Sequence, residues 1–444
     1  MKSQNYKKLL KSKKFQICIW GAGYIGLSTA VYYAKKNIKC LLIDIDQKKV
    51  NDINSGILPI PELKSWFGFN IKNLTQKKLI EATTDFKNAL TIKNIVHFLA
   101  IPTEKNGKPY LNILIKVLER LSNIKKLKYK HKPVIIIEST LTPMSSEKFI
   151  LPFLKKRGLR EEDFIYAVSP RRDWFVANTK NLEEIDRVYG STDKKSSKIV
   201  HSILSIVCKK LHKASSHKVS EMVKSVENAY RHMEITLANQ LSLAYPNENM
   251  REVLKLVGTK WNIGTFFPGF GTGGYCIPLS SQYVLKNIKN KRKLTLLRET
   301  IKTDNYINVK IARSLIKRKF KNIGILGLSY KGNLKVKTLS PTIPFVKELK
   351  KKKNIKVEIF DPYFTKVEIK KILNINTFKF PNDLKKFDCL VIFVDHKEFK
   401  ISSKKLKRYT SNLKFILDNM GVWKENKFNK LIEYHISGDK NWIN

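Results

Sequence analysis

A chain that runs apolar strand, glycine turn, helix, second apolar strand and then an acid has few folds open to it. Residues 13–46, KKFQICIWGAGYIGLSTAVYYAKKNIKCLLIDID, read in that order. Phe15 to Trp20 is the first apolar run, Gly21, Gly23 and Gly26 form G-x-G-x-x-G, Leu27 to Lys35 is helix-like, and Cys40 to Ile43 is the second run. The spacing predicts a βαβ unit in which Gly21 makes the tight turn, Gly23 lets a pyrophosphate approach the backbone, and Gly26 lets helix and strand close up. The phosphates would rest on free N–H groups at the helix N-terminus. Asp44, at the end of the second run, would accept hydrogen bonds from a ribose diol and repel a 2′-phosphate, which favours NAD over NADP. A glycine turn that packs without a ligand is the plain alternative.

Two further apolar runs, NIVHFLAIPT and PVIIIEST, end in hydroxyl or proline residues. In a doubly wound sheet the carboxyl ends of strands line the ligand crevice, so Thr103, Ser139 and Thr140 fall where a cofactor or substrate would lie, although each would serve equally as a helix cap. The last third repeats the pattern: KNIGILGLSYKGN, VEIFDPY, FDCLVIFVDH and FILDNMGVW are apolar runs at helical separations. The expected architecture is α/β, two Rossmann-like doubly wound parallel-sheet domains over residues 1–211 and 313–444, with a helical segment over 212–312. Within that segment Val219 to Leu243 has helical periodicity. Lys224 and Asn228 there are four apart and share a face; a solvated lysine beside an asparagine would look the same.

The segment also holds FPGFGTGGYCIPL, Phe267 to Leu279, where glycines crowd Cys276. The five cysteines, Cys18, Cys40, Cys208, Cys276 and Cys389, are spread out with no CxxC or Cys/His spacing, which argues against a disulfide framework and against zinc. Apolar runs are too short to span a bilayer and the first residues lack a signal-type apolar region, so a cytoplasmic protein is expected. The formal charge of +49 suggests nucleic acid at first sight. Its lysines are scattered along the chain, however, which reads as a compositional bias that favours anionic substrates.

Taken together, GAGYIGL, IPTEKNGKPYLN, IIIESTLTP, KSVENAYRHMEITLANQLSL, FPGFGTGGYCIP, LGLSYKGN, SPTIP, VEIFDPY and VIFVDHKEF resemble the UDP-glucose/GDP-mannose dehydrogenase family nearly end to end, and more closely its bacterial branch acting on UDP-N-acetylhexosamines. The resemblance implies a two-stage oxidation of a sugar C6 alcohol to a carboxylate with two NAD, for surface polysaccharide. Carried over, Cys276 is the nucleophile, Lys224 stabilises the oxyanion, Asn228 orients the reacting oxygen and Thr140 lies near the catalytic water. The implied cofactor contacts are Gly21, Gly23, Tyr24, Ile25, Gly26, Asp44, Lys49, Thr103 and Ser139. Those to the substrate are Arg171, Phe267, Gly269, Gly271, Gly273, Gly274, Tyr330 and Lys331. A homodimer or higher homo-oligomer, formed through the central helices, is implied as well.

Four departures from the family pattern stand out. Arg171, in SPRRDWF, occupies the place of a glutamate, and Ser280 that of an aspartate four residues after the cysteine. An acid pair and an arginine become Lys335, Val336 and Thr338, while Lys331, Ser340 and Pro341 remain; a proline-glycine turn becomes Pro143-Met144. Losing a general base commonly costs about a hundredfold or more. Arg171 and Arg172 could instead hold an anionic substrate group. Two other readings follow from these losses and the charge: an enzyme of this fold that stops after one oxidation, and a basic nucleic-acid-binding protein.

Overall fold

The computed structural model describes residues 6–67, 70–173, 181–290, 292–426 and 428–443. It divides into two compact units, residues 1–227 with 286–288, and residues 228–285 with 289–444.

In the first unit the strands are β1 Gln16–Trp20, β2 Cys40–Ile43, β3 Ile80–Thr83, β4 Asn94–Leu99, β5 Val134–Ile137, β6 Ile165–Val168, β7 Arg187–Ser191 and β8 Leu211–Lys213. They form one sheet in the order β8-β7-β6-β5-β4-β1-β2-β3. From β3 to β6 every pairing is parallel, and the order reverses between β1 and β4, the switch point where such sheets bind ligands. The apolar runs are continuous because both faces are covered: Ile17 and Ile19 of β1 enter one core cluster, Cys18 and Trp20 the other. Full burial of each large side chain contributes roughly 1.5–3 kcal/mol. Beyond this parallel part, β7 runs antiparallel to β6. The guanidinium of Arg187 on β7 ties the reversed strand to its neighbours through Ser169 (2.8 Å) and Glu138.

Helix α1, Tyr24–Lys35, follows the glycine turn, and α2, Gln47–Asn54, follows β2. Asn37, at φ 63°, ends α1 with Ile38 N–H on the Tyr33 carbonyl and Asn37 N–H on that of Ala34. The long helix α3, His217–Ala244, starts in the first unit and finishes in the second.

The second unit holds α4 Ile277–Lys286 except its last residue, α5 Thr295–Lys317 and α6 Thr342–Leu349. Its strands are β9 Asn322–Leu326, β10 Lys356–Phe360, β11 Asn376–Thr377, β12 Cys389–Ile392, β13 Phe415–Asp418 and β14 Glu433–Ile436. Their order, β11-β10-β9-β12-β13-β14, repeats that of β3 to β6 with every pairing parallel. No helix among the described residues is long and apolar enough to cross a membrane.

Candidate active site

The glycine turn of the first unit is built as its sequence requires. Gly21 has φ 99°, and a Cβ on Gly26 would come within 1.8 Å of the Gly21 carbonyl oxygen, so helix and turn are in contact there. A Cβ on Gly23 would meet nothing within 4 Å, and Gly23 caps α1 without any side chain over it. A phosphate group fits this open backbone at a helix N-terminus. Asp44 steadies the turn, its carboxylate accepting from the N–H of Ala22 (2.6 Å) and of Asp46 (3.0 Å). Tyr24 and Ile25 open α1; Lys49 is on α2 with its ammonium 3.8 Å from Asp46.

The hydroxyls at the ends of β4 and β5 have backbone partners. Ser139 Oγ accepts from the N–H of Ile101 (2.9 Å) and lies 2.7 Å from its carbonyl, and Thr103 Oγ1 donates to the Thr140 carbonyl at 2.6 Å. These bonds hold the two strand ends together beside the turn. Thr140 itself is half-buried.

Arg171 is engaged within the first unit. Its side chain is 2% exposed and all five N–H donors are spent inside the unit. Nε and Nη2 make a bidentate pair with Asp173 at 2.6 and 2.8 Å, Nη2 also meets Ser28, and Nη1 meets Thr29 and the Ile25 carbonyl. Burial pulls its pKa down, but Asp173 and Glu138 outweigh that and raise it. A buried guanidinium must be paired, and the acid two residues along supplies the pair. Arg172 behaves differently: its Nε donates to Glu227 at 2.7 Å. Glu227 also accepts from Lys224 Nζ at 2.8 Å.

In the second unit, Cys276 directly precedes α4, and its carbonyl accepts from Ser280 N–H at 3.0 Å. A helix N-terminus favours negative charge. Cys276 is the one exposed cysteine; the other four are buried, and burial raises the pKa of each thiol. The loop bearing it is pinned at several points. Phe270 is fully buried against Phe393 and Trp442, and Thr272 binds the Asp304 carboxylate through its N–H (2.9 Å) and hydroxyl (2.6 Å). Gly269 N–H donates to Asn239 at 2.7 Å, and Phe267, outside the core, lies under Arg251. A Cβ on Gly273 or Gly274 would strike Tyr330 at 2.6 Å. These two glycines therefore make room for an aromatic ring of the same unit, where the sequence suggested room for a ligand; Gly271 and Gly274 also hold φ of 95° and 82°.

Tyr330 is pushed up to about 12 by burial and by Cys276 and Tyr275. Lys331 is lowered by burial and by Arg231, against the pull of Asp395 and Cys276. Asn228, 3% exposed, donates to Ser280 Oγ at 3.1 Å, so the asparagine and the residue in the aspartate position are in contact. His232 bonds Ser281 Oγ at 2.8 Å through Nδ1 and lies 3.3 Å from Asp304 through Nε2. The sequence did not point to His232, Asp304 or Glu227, although His232 and Glu227 lie at helical spacing from Asn228 and Lys224.

Models of the UDP-glucose/GDP-mannose dehydrogenase family match the chain three times: its NAD binding domain over residues 15–207, its central domain over 218–306 and its UDP binding domain over 324–425. The chain belongs to the UDP-glucose/GDP-mannose dehydrogenase family. It is accordingly an NAD-dependent nucleotide-sugar dehydrogenase. A UDP-N-acetyl-D-mannosamine dehydrogenase of Methanococcus aeolicus is 29% identical, over 98% of this chain and 99% of that one. A UDP-N-acetyl-D-glucosamine 6-dehydrogenase of Pseudomonas aeruginosa is 27% identical, over 87% and 92%. The solved UDP-D-ManNAc dehydrogenase of Pyrococcus horikoshii superposes with a TM-score of 0.83 at 25% identity, covering 96% of this chain and all of that one.

As a dehydrogenase of this family the chain has two strand-turn-acid units, and only one is open at the acid. In the second unit Asp361, at the end of β10, accepts from the N–H groups of Leu328 and Ser329, but His396 Nε2 also lies on it at 3.2 Å and both side chains are fully buried. Burial would raise Asp361; His396 and the backbone donors outweigh that and lower it. Asp44 of the first unit has no such cover and is half-buried, which suits a ribose diol.

Proposed function

We propose that this dehydrogenase oxidises the C6 alcohol of a UDP-N-acetylhexosamine to the carboxylate in two stages, through a covalent bond to Cys276. The observation that carries the reading is the exposed Cys276 on a loop pinned at Gly269, Phe270 and Thr272, ahead of α4, in a chain whose other thiols are buried. The relatives named as UDP-N-acetylhexosamine dehydrogenases support the substrate class. NAD, when bound, supplies a hydride acceptor for each stage. Gly21, Gly23, Gly26 and Asp44 would hold it, with Tyr24, Ile25, Lys49, Thr103 and Ser139 around the same strand ends.

In this reading the first oxidation releases a hydride and a proton and leaves an aldehyde. The Cys276 thiolate adds to its carbonyl carbon, the thiohemiacetal gives up the second hydride, and water cleaves the thioester to carboxylate and free thiol. The ammonium of Lys224 steadies the oxyanion of each tetrahedral stage, Asn228 orients the reacting oxygen, and Thr140 helps hold the water. Gly269, Gly271, Phe267, Tyr330 and Lys331 would border the nucleotide sugar, with Gly273 and Gly274 seating the Tyr330 ring beside it. With Ser280 in contact with Asn228 where an aspartate was expected, a second reading stops after the first oxidation. Incubation with NAD and a panel of UDP-N-acetylhexosamines, UDP-glucose and GDP-mannose tests the assignment. NADH from the N-acetylhexosamines supports it, and NADH from UDP-glucose or GDP-mannose alone overturns the substrate class.

We also propose a cytoplasmic homodimer that makes uronic acid units for surface polysaccharide. Exposed Tyr230, Leu237, Leu256 and Trp261 on the central helical segment support the pairing. Light scattering checks it: a monomer at micromolar concentration would contradict the proposal.

A further inference from the structure

We infer that Glu227 is the positioning residue of Lys224, and that Arg172 sets how strongly it acts. The inference rests on the proposed role of Lys224. A lysine has four rotatable bonds, and fixing such a side chain costs up to about 2 kcal/mol. An acid three residues along the same helix is in reach, but an isolated surface pair contributes only a few tenths of a kcal/mol. Here the acid is itself held. Glu227 takes Lys224 Nζ on Oε1 at 2.8 Å and Arg172 Nε on Oε2 at 2.7 Å, and Arg172 Nη1 is tied to the Asp186 carbonyl at 3.1 Å. The lysine and glutamate side chains are 14% and 25% exposed, so the pair is only partly screened by water.

The cluster is a chain of three charges: Lys224 and Glu227 on α3, and Arg172 from the segment after β6. One carboxylate serves two cations. It aims the ammonium from one oxygen, while Arg172 holds the other. Adjacent arginines thus have separate tasks, Arg171 satisfied inside the unit by Asp173 and Arg172 directed at the carboxylate beside Lys224.

The test compares Glu227→Gln and Arg172→Met with the parent enzyme. Two readouts are followed: kcat and KM for the UDP-N-acetylhexosamine, and the rate of Lys224 acetylation in the resting protein at one fixed pH, measured by competitive labelling and mass spectrometry. Loss of the carboxylate should lower kcat about tenfold with KM changed less than about threefold. It should also free the ammonium and raise the rate of Lys224 acetylation severalfold. Arg172→Met should lower that rate, because the carboxylate then serves Lys224 alone. Opposite changes support the inference. A Glu227→Gln protein whose Lys224 is acetylated at the parent rate overturns it, whatever its kcat. Labelling needs no turnover, so a parent that oxidises no nucleotide sugar would defeat the functional reading while leaving this test intact. Should Glu227→Gln fail to fold, Arg172→Met decides alone, and an unchanged or raised Lys224 acetylation in it overturns the inference.

Discussion

Arg171→Met should be among the most damaging single changes in the first unit. The side chains of Arg171 and Asp173 are 2% and 1% exposed and meet at 2.6 Å. Removing the guanidinium strands the Asp173 carboxylate in the interior and takes donors from Ser28, Thr29 and the Ile25 carbonyl. Breaking a buried pair from one side costs about 3–5 kcal/mol. With a urea slope of about 3 kcal/mol per molar, the unfolding midpoint should fall by about 1 M or more. Ile25, Ser28 and Thr29 all belong to α1, next to the glycine turn, so NAD affinity should weaken alongside stability. The double change Arg171→Met with Asp173→Leu should recover much of the loss, since no unpaired charge remains. Equilibrium unfolding of the full chain, with NAD titration, measures all three. An Arg171→Met protein within about 1 kcal/mol of the parent, but with raised KM for the nucleotide sugar, would refute the reasoning and return Arg171 to the substrate.

Other changes have defined outcomes. Met144 occupies the left-handed region at φ 69°, so Met144→Gly should stabilise by about 1 kcal/mol, read from the urea midpoint. Gly26→Ala should abolish NAD binding in a fluorescence titration, because the new methyl would sit 1.8 Å from the Gly21 carbonyl oxygen. His97, fully buried and lowered to about 4 chiefly by burial, should make stability fall as pH drops from about 6.5 to about 4. The unfolded chain takes that proton first, so stability is full above the ordinary histidine pKa. The loss should approach about 3 kcal/mol, and His97→Gln should flatten it in a pH series of unfolding curves. Asp304→Asn should release Thr272 and His232 and slow alkylation or turnover at Cys276 about tenfold; unchanged rates would separate the loop from its clamp.

Local features were legible and distant ones were not. The glycine turn and Asp44 lie within a single βαβ unit, and their spacing alone specifies how they meet. The two α/β domains were likewise written in apolar runs at helical intervals. For Arg171 the bidentate partner Asp173 was in view two residues along, but Thr29 and Ser28, which complete its burial, are 142 and 143 residues away. The closeness of Tyr330 to Gly273 and Gly274 was not legible either, since the tyrosine lies far along the chain. The reversed β7 carries Arg187, whose contacts with Ser169 and Glu138 join residues far apart in the chain, and no periodicity encodes them. Glu227 was in plain view three residues after Lys224, but only the approach of Arg172 distinguishes it from an ordinary helix-surface acid.

The central claim is a four-electron oxidation through Cys276, and the stoichiometry of NADH against UDP-N-acetylhexosamine consumed tests it most directly, in the parent and in Cys276→Ser. The account predicts about two NADH per sugar for the parent, falling to one or fewer when the thiol is lost. A ratio near one that survives the substitution would contradict it: the cysteine would then take no part and oxidation would end at the aldehyde.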